Sequence, residues 1–256
     1  KESQREISMP DFHVLIAAAG KGRRSGLPYP KTLHPIFEKP ILLRLIELLE
    51  DYDSSPTIVV SPEGEPLINN CLHENNKSAH IVIQDFPLGM GNAVLKFRDS
   101  PIANKAENIV LVWGDVPFLK RETVAQVVDT HWKNGNSFTF ASRYVDSAYT
   151  IISRDEFGQV IEVIETRENG LKPSSGERDI GLFVFNQKCV MEALEEELPN
   201  KYGQLTSGHG FLYIIKHLVS RGFRVEALPI AKEQELISLN KLSDLNLPLG
   251  DSILML

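Results

Sequence analysis

The chain is 256 residues long, 42% of them hydrophobic, with a formal net charge of −7. It can bury a substantial core, and one large α/β domain with a small appended lobe fits it better than two separate domains. The acidic balance and the lack of a long basic run exclude an electrostatic nucleic-acid binder, and neither a signal peptide nor a span-length apolar segment is present.

Residues 1–10, KESQREISMP, read as a frayed polar lead-in. The chain starts at Lys1 rather than methionine, as expected of a piece of a longer protein. Val14-Leu15-Ile16-Ala17-Ala18-Ala19 is short, apolar and closed by glycine, the pattern of a buried strand. Pro40 opens a helix, ILLRLIELLEDY, with apolar residues at helical spacing. Thr57 to Val60 predicts a second buried strand, residues 64–76 a helix, and His80 to Gln84 a third strand. Asn92 stands at or near the start of the following helix, as its cap. Ile109 to Trp113 is another buried strand. Residues 121–133 predict a helix ending in His131 and Trp132, which read as packing or surface residues. Residues 136–144 alternate like a strand, further strands run from Tyr149 to Phe185, and a helix follows at 187–197. Cys71 and Cys189 fall in predicted helices without metal-type spacing, so they read as reduced, partly buried thiols of a soluble cytoplasmic protein.

The first strand runs into Gly20-Lys21-Gly22-Arg23-Arg24-Ser25-Gly26, followed by Pro28, Pro30 and Lys31. Glycines after such a strand let backbone N–H groups close around phosphate oxygens, and Arg24 and Lys31 add positive charge there. A dinucleotide loop needs a third glycine where Ser25 stands, and a helix that Pro28 and Pro30 would stop. No G-x-x-x-x-G-K-[ST] string occurs. A non-helical phosphate loop with its own cations remains, or else an ordinary glycine turn with solvated side chains. Downstream, Gly114-Asp115-Val116-Pro117 follows an apolar strand. Asp115 there would point into the crevice where α/β sheets bind ligands and offer a hard oxygen to Mg²⁺, or it caps the helix at 121–133.

Taken together, Gly20, Gly22, Arg24, Pro30, Lys31, Leu33, Lys39 and Pro40 resemble the signature of the sugar-1-phosphate nucleotidyltransferase family. The similarity runs from about Val14 to Leu245. It is strongest to the uridylyltransferase domain of the bacterial N-acetylglucosamine-1-phosphate uridylyltransferases. The resemblance implies a Rossmann-like, mostly parallel central sheet flanked by helices, the nucleotide-diphospho-sugar transferase fold, with a smaller acceptor-binding lobe. The nucleotidyltransferase domain would span 11–246, with a tail at 247–256. It implies nucleotide binding by Ala18, Ala19, Gly20, Gly22 and Gly114, and base reading by Gln84 and Gly89, whose five-residue spacing matches. Arg24 and Lys31 become the catalytic cations. Asp115 and Asn240 become the Mg²⁺ ligands, although Asn240 also reads as a helix N-cap. Glu165, Asp179 and Tyr149 fall on acceptor positions, although strand polarity alone would also account for Glu165 and Asp179.

The departures cluster in the acceptor half. Met90 stands for a threonine, Asp179 for an asparagine, and Ala148-Tyr149-Thr150-Ile151 for Gly-Tyr-Gly-Arg. Residues 205–222 cover a helix of the resembled family, in which His209 replaces a glutamate and Tyr213 a threonine, and Ser238 further on replaces a glycine. An Asp for Asn exchange swaps a donor–acceptor amide for an acceptor-only group, which argues against N-acetylglucosamine 1-phosphate as acceptor. His209 reads as near the acceptor pocket, or simply as a satisfied or solvent-facing histidine. No hexapeptide repeat is present, so an acetyltransferase activity is not supported. The expected reaction is transfer of a nucleotidyl group from a nucleoside triphosphate, UTP by expectation, to a sugar 1-phosphate with Mg²⁺ as cofactor. Two alternatives stay open: a cytidylyltransferase acting on a non-sugar phosphate, and a catalytically silent regulatory subunit. The expected partners are these two small molecules, with no nucleic acid and no membrane; the sequence leaves the oligomeric state open.

Overall fold

In β1 (Phe12–Ala17) every residue but His13 is buried, and β4 (Thr57–Val60) and β6 (Asn108–Trp113) are nearly as apolar. Such unbroken apolar runs arise where a strand has both faces covered. The computed structural model describes residues 8–20, 26–240 and 244. Gly22, Arg24, the start of the lead-in and the tail at 247–256 therefore lie outside the described residues.

The helices are α1 (Ile41–Leu49), α2 (Glu65–Glu74), α3 (Met90–Leu95), α4 (Arg121–Lys133), α5 (Gln187–Glu195) and α6 (Ile214–Ser220). The remaining strands are β2 (Pro35–Ile36), β3 (Lys39–Pro40), β5 (His80–Ile83), β7 (Phe138–Ala148), β8 (Thr150–Arg154), β9 (Val160–Glu165), β10 (Ser174–Asn186) and β11 (Val225–Leu228). Among the described residues the main sheet runs in the order β5-β4-β1-β6-β10-β7-β11. The first four strands are mutually parallel, β10 is antiparallel to β6 and β7, and β11 is parallel to β7. Alternate β1 residues face opposite layers. Val14 and Ile16 pack with α1, α2 and α4, while Leu15 and Ala17 pack with α3, α5 and α6. This is the mostly parallel, helix-flanked sheet expected. A separate hairpin, β8 with β9, carries Glu165, while Tyr149 precedes β8 and Asp179 lies on β10 of the main sheet.

The sequence-based boundaries of β4 and α4 coincide with the structure. Other expectations need correction. The first strand ends at Ala17, two residues early, although the Ala18 N–H still bonds the Val59 carbonyl of β4 at 2.8 Å. The helix expected over 205–222 is helical only at 214–220. Ser207 has φ +57°, outside the helical range, and Gly208 and Gly210 form strand-like bonds with Gly203 and Lys201 instead. Asn92 does not cap α3. Gly89 occupies that position, and Asn92 lies inside the first turn.

Candidate active site

Chain order reverses between β1 and β6: β4 and β5 lie on one side of β1, β6 on the other. Open α/β sheets bind ligands beyond the carboxyl ends of the strands at such a switch point. Gly114 follows β6 there. Its N–H donates to the Ala17 carbonyl at 2.9 Å, and a Cβ on it would lie 2.8 Å from that same oxygen. Only glycine lets the two strand ends close to this separation, which brings Ala18, Ala19 and Gly20 to one rim of the crevice and Asp115 to the other.

Lys31 reaches the Asp115 side of the crevice from the segment after Pro30. Pro30 is extended (φ −56°, ψ 137°) and starts a tight turn over Lys31–Leu33. The Lys31 ammonium lies 3.8 Å from the Asp115 carboxylate, with side-chain exposures of 12% and 23%. Two opposite charges held this close polarise the space between the strand ends. The Leu239 N–H donates to the Asp115 carbonyl at 3.0 Å, which draws Ser238 and Asn240 alongside. The Asn240 side-chain amide donates to Ser238 Oγ at 2.6 Å. Asp115 does not cap α4; Lys120 sits at that cap.

A second cluster forms beyond β5. Gln84 is buried, and its Nε2 donates to the Gly89 carbonyl at 3.1 Å and to Asn92 Oδ1 at 2.8 Å. The Gly89 carbonyl can only accept, so it fixes the amide with Nε2 inward and leaves Oε1 as the acceptor edge. Gly89 has φ +105°, and a Cβ there would run into the backbone of His209. His209 clamps the loop from its other side: its N–H donates to the Leu88 carbonyl at 2.7 Å, and its carbonyl accepts from the Gly91 N–H at 2.9 Å.

The same clamp forms one wall of a cavity of about 810 Å³ that Met90, Glu165, Tyr202, His209, Tyr213 and Lys216 help to line. His209 is buried, with Nε2 at 2.9 Å from the Tyr213 hydroxyl. Burial, with the Lys201 ammonium adding to it, pushes His209 down to about 4, so it is a neutral ring at pH 7. The imidazole is thus both satisfied and on the cavity wall. Burial, then the charges of Asp179 and Glu168, push the Glu165 carboxyl up to about 7. Asp179 is buried beside it, accepting from the Thr150 hydroxyl at 2.7 Å and from the Gly181 N–H at 2.9 Å. Asp179 and Tyr149 do not line the cavity. Tyr149 joins the group only through its carbonyl, which accepts from the Thr166 N–H at 2.9 Å; its ring is exposed.

Two carboxylates escaped the sequence reading. Glu168 accepts from the Thr206 hydroxyl and from the N–H groups of Leu205 and Thr206, strapping residues 204–206 across the cavity rim. Burial would raise this carboxyl, but those bonds outweigh it and hold it below the usual range. Glu235 is fully buried and joins the start of α4 to the segment that carries Asn240. Glu235 stands five residues before Asn240 in the same family-like string, but for both carboxylates the partners that define the role lie tens of residues away in sequence.

Among the described residues no three His, Cys, Asp or Glu side chains converge on a metal site. The crevice nevertheless fits a hard cation. It offers the Asp115 carboxylate and an asparagine whose amide nitrogen is already committed to Ser238, and Mg²⁺ commonly takes one or two carboxylates and completes its shell with substrate phosphates.

The chain is 30% identical over 232 residues to the bifunctional protein GlmU of Carboxydothermus hydrogenoformans, covering 88% of this chain and 49% of that one. It is also 30% identical over 243 residues to the GlmU of Thermodesulfovibrio yellowstonii, covering 91% and 50%. The chain spans about half the length of the curated relatives it matches. Among solved structures it superposes on a UDP-glucose pyrophosphorylase complexed with UDP-glucose, with a TM-score of 0.67 at 20% identity over 89% of this chain and 96% of that one. It superposes equally widely on HddC from Yersinia pseudotuberculosis, with a TM-score of 0.62 at 18% identity over 91% and 96%. At those identities the superpositions speak to the fold. The sequence pattern of the MobA-like NTP transferase domain matches residues 14–177, and the chain belongs to that family of nucleotidyltransferases.

Proposed function

We propose that this chain transfers a nucleotidyl group from UTP to a sugar 1-phosphate, releasing pyrophosphate. The observation that carries the reading is the Lys31–Asp115 pair, 3.8 Å apart at the switch point of the sheet. The acceptor phosphate is already an anion and needs no protein nucleophile. The protein must align two polyanions and neutralise the charge that shifts as the α-phosphorus is attacked. Lys31, held in line by Pro30, would meet the α-phosphate. Asp115 and Asn240 would hold Mg²⁺, which when bound supplies neutralisation of the phosphate oxygens. Arg24, on the glycine loop with Gly20 and Gly22, would grip the departing pyrophosphate. Gln84 presents Oε1 to the base, an acceptor for the imide N–H of uracil, and Gly89 offers backbone to the same edge. Glu165 reaches the acceptor cavity and would bind sugar hydroxyls, with Asp179 and Tyr149 behind it. The free thiols Cys71 and Cys189 suit a cytoplasmic setting.

The test is pyrophosphate release from each of the four ribonucleoside triphosphates against a panel of sugar and alcohol phosphates, with Asp115→Asn as control. UTP with a sugar 1-phosphate should turn over best, and Asp115→Asn should lose several kcal/mol of transition-state stabilisation, on the order of 10²-fold or more in rate, while remaining folded. Best turnover with CTP and an alcohol phosphate would replace the sugar reading. No turnover with any pair would sink the enzymatic one.

A further inference from the structure

The segment from Ala231 to Asn240 has little secondary structure of its own: one short turn over Glu233–Leu236. It is held from outside at three heights. The Ala231 N–H donates to the Ser142 carbonyl on β7 at 3.2 Å, and the Leu239 N–H to the Asp115 carbonyl at 3.0 Å. Between these anchors sits Glu235, with an exposure of 0%. Its Oε1 accepts from the Lys120 N–H at 2.8 Å, and its Oε2 from the Thr123 hydroxyl at 2.9 Å and the Lys232 N–H at 2.8 Å.

The bond to Lys232 is local, half of a capping box, and any short turn could use it. The other two reach across 115 and 112 residues to the first turn of α4. That turn ends the loop which begins at Asp115. One buried carboxylate therefore ties the loop of Asp115 to the segment of Asn240. Burying a carboxylate costs several kcal/mol unless donors surround it. Here they are three N–H or O–H groups and the positive end of the thirteen-residue helix α4. An apolar residue would fill the same space without fixing register or direction.

We infer that Glu235 is a positioning residue, which sets the Asn240 segment against Asp115 and so tunes divalent-cation affinity at the crevice. This rests on the proposed reading of Asp115 and Asn240 as cation ligands. It goes beyond that reading by naming the group that holds the two together without touching the ion. Outer groups that orient ligands typically change metal affinity 10–100-fold when lost.

The experiment is Mn²⁺ binding, followed by electron paramagnetic resonance, to the intact chain with a non-hydrolysable UTP analogue. Wild type, Glu235→Ala, Glu235→Gln, Asn240→Ala and the double variant Glu235→Ala/Asn240→Ala would be compared, each with its thermal midpoint. Thr139→Val, which removes the buried hydroxyl bonded to His131 at 2.9 Å, serves as a distant control for lost stability. Glu235→Ala should weaken Mn²⁺ about tenfold or more. Glu235→Gln keeps one carbonyl for Lys120 but sets an NH₂ group among the remaining donors, and should fall between; it carries the test if the alanine variant does not fold. In the Asn240→Ala background the Glu235 change should add little, because its effect runs through Asn240. A lower midpoint with unchanged Mn²⁺ affinity, as expected for Thr139→Val, would overturn the inference and leave the proposed function standing. So would fully additive losses in the double variant. Absence of Mn²⁺ binding by the wild type with the analogue would overturn both.

Discussion

Replacing Glu165 with glutamine should stabilise the protein in a pH-dependent way. Burial and the charges of Asp179 and Glu168 raise this carboxyl from 4.5 to about 7. The unfolded chain then releases the proton near 4.5 while the folded chain keeps it to about 7. Below 4.5 both states are protonated and the position is neutral to stability. Between 4.5 and 7 the folded state falls progressively behind, and above 7 it carries the whole penalty. At about 1.4 kcal/mol per pH unit, that interval amounts to a loss on the order of 3 kcal/mol. Glutamine has nearly the same shape and never ionises, so it removes the loss. Urea unfolding of wild type and Glu165→Gln at pH 4.5, 6 and 8, without substrate, measures the difference directly. The variant's advantage should grow by about 3 kcal/mol from the lowest to the highest pH. A difference that stays constant across the range would refute the account, since a packing or hydrogen-bond effect of the substitution has no reason to titrate.

Lys31→Ala should lower kcat more than it raises the KM for the triphosphate, because contact with the α-phosphate strengthens as charge shifts during attack; steady-state kinetics with the triphosphate varied would show the opposite split if Lys31 only binds. Gly89→Ala forces a side chain into positive φ and onto the His209 backbone, so it should cost about 1–3 kcal/mol by thermal unfolding and raise the KM for the triphosphate. An unchanged KM would separate this loop from base binding.

Legibility in the sequence followed the range of the interactions. The limits of β4 and α4 could be read off because a short apolar run and a 3.6-residue period are local patterns with local stops. Gln84 and Gly89, five residues apart, do meet at one place, where the Gln84 amide donates to the Gly89 carbonyl. Lys31 and Asp115, 84 positions apart, met because each had its own local cue: a cation after a glycine loop and an acid after a buried strand. The misplaced helix at 205–213 shows the reverse. The family resemblance placed a helix there, but pairing of His209 with Leu88 and Gly91, and of Gly210 with Lys201, claimed the backbone first. Glu235 and Glu168 lay beyond reach for the same reason, since the donors that give them meaning come from distant loops.

The positions that depart from the resembled family meet one another in space. Thr150, standing for a glycine, donates its hydroxyl to Asp179, standing for an asparagine, at 2.7 Å. Tyr213, for a threonine, bonds His209, for a glutamate, at 2.9 Å. Ser238, for a glycine, accepts from Asn240 at 2.6 Å. In the first two pairs, which are partly buried, a site drifting without function would leave groups unmatched, at about 1–3 kcal/mol each; the Ser238–Asn240 pair is exposed. Buried side-chain atoms without a partner do occur among the described residues, for example on Thr32 and Ser142, but none belongs to these three pairs. The changes have therefore been accommodated as contact pairs, with the Lys31–Asp115 ion pair kept intact beside them. That pattern weighs against the silent-subunit alternative and for an acceptor site rebuilt around a different phosphate. It also means the acceptor will be found by varying the substrate, since restoring one family residue alone would break a pair and leave its partner unsatisfied.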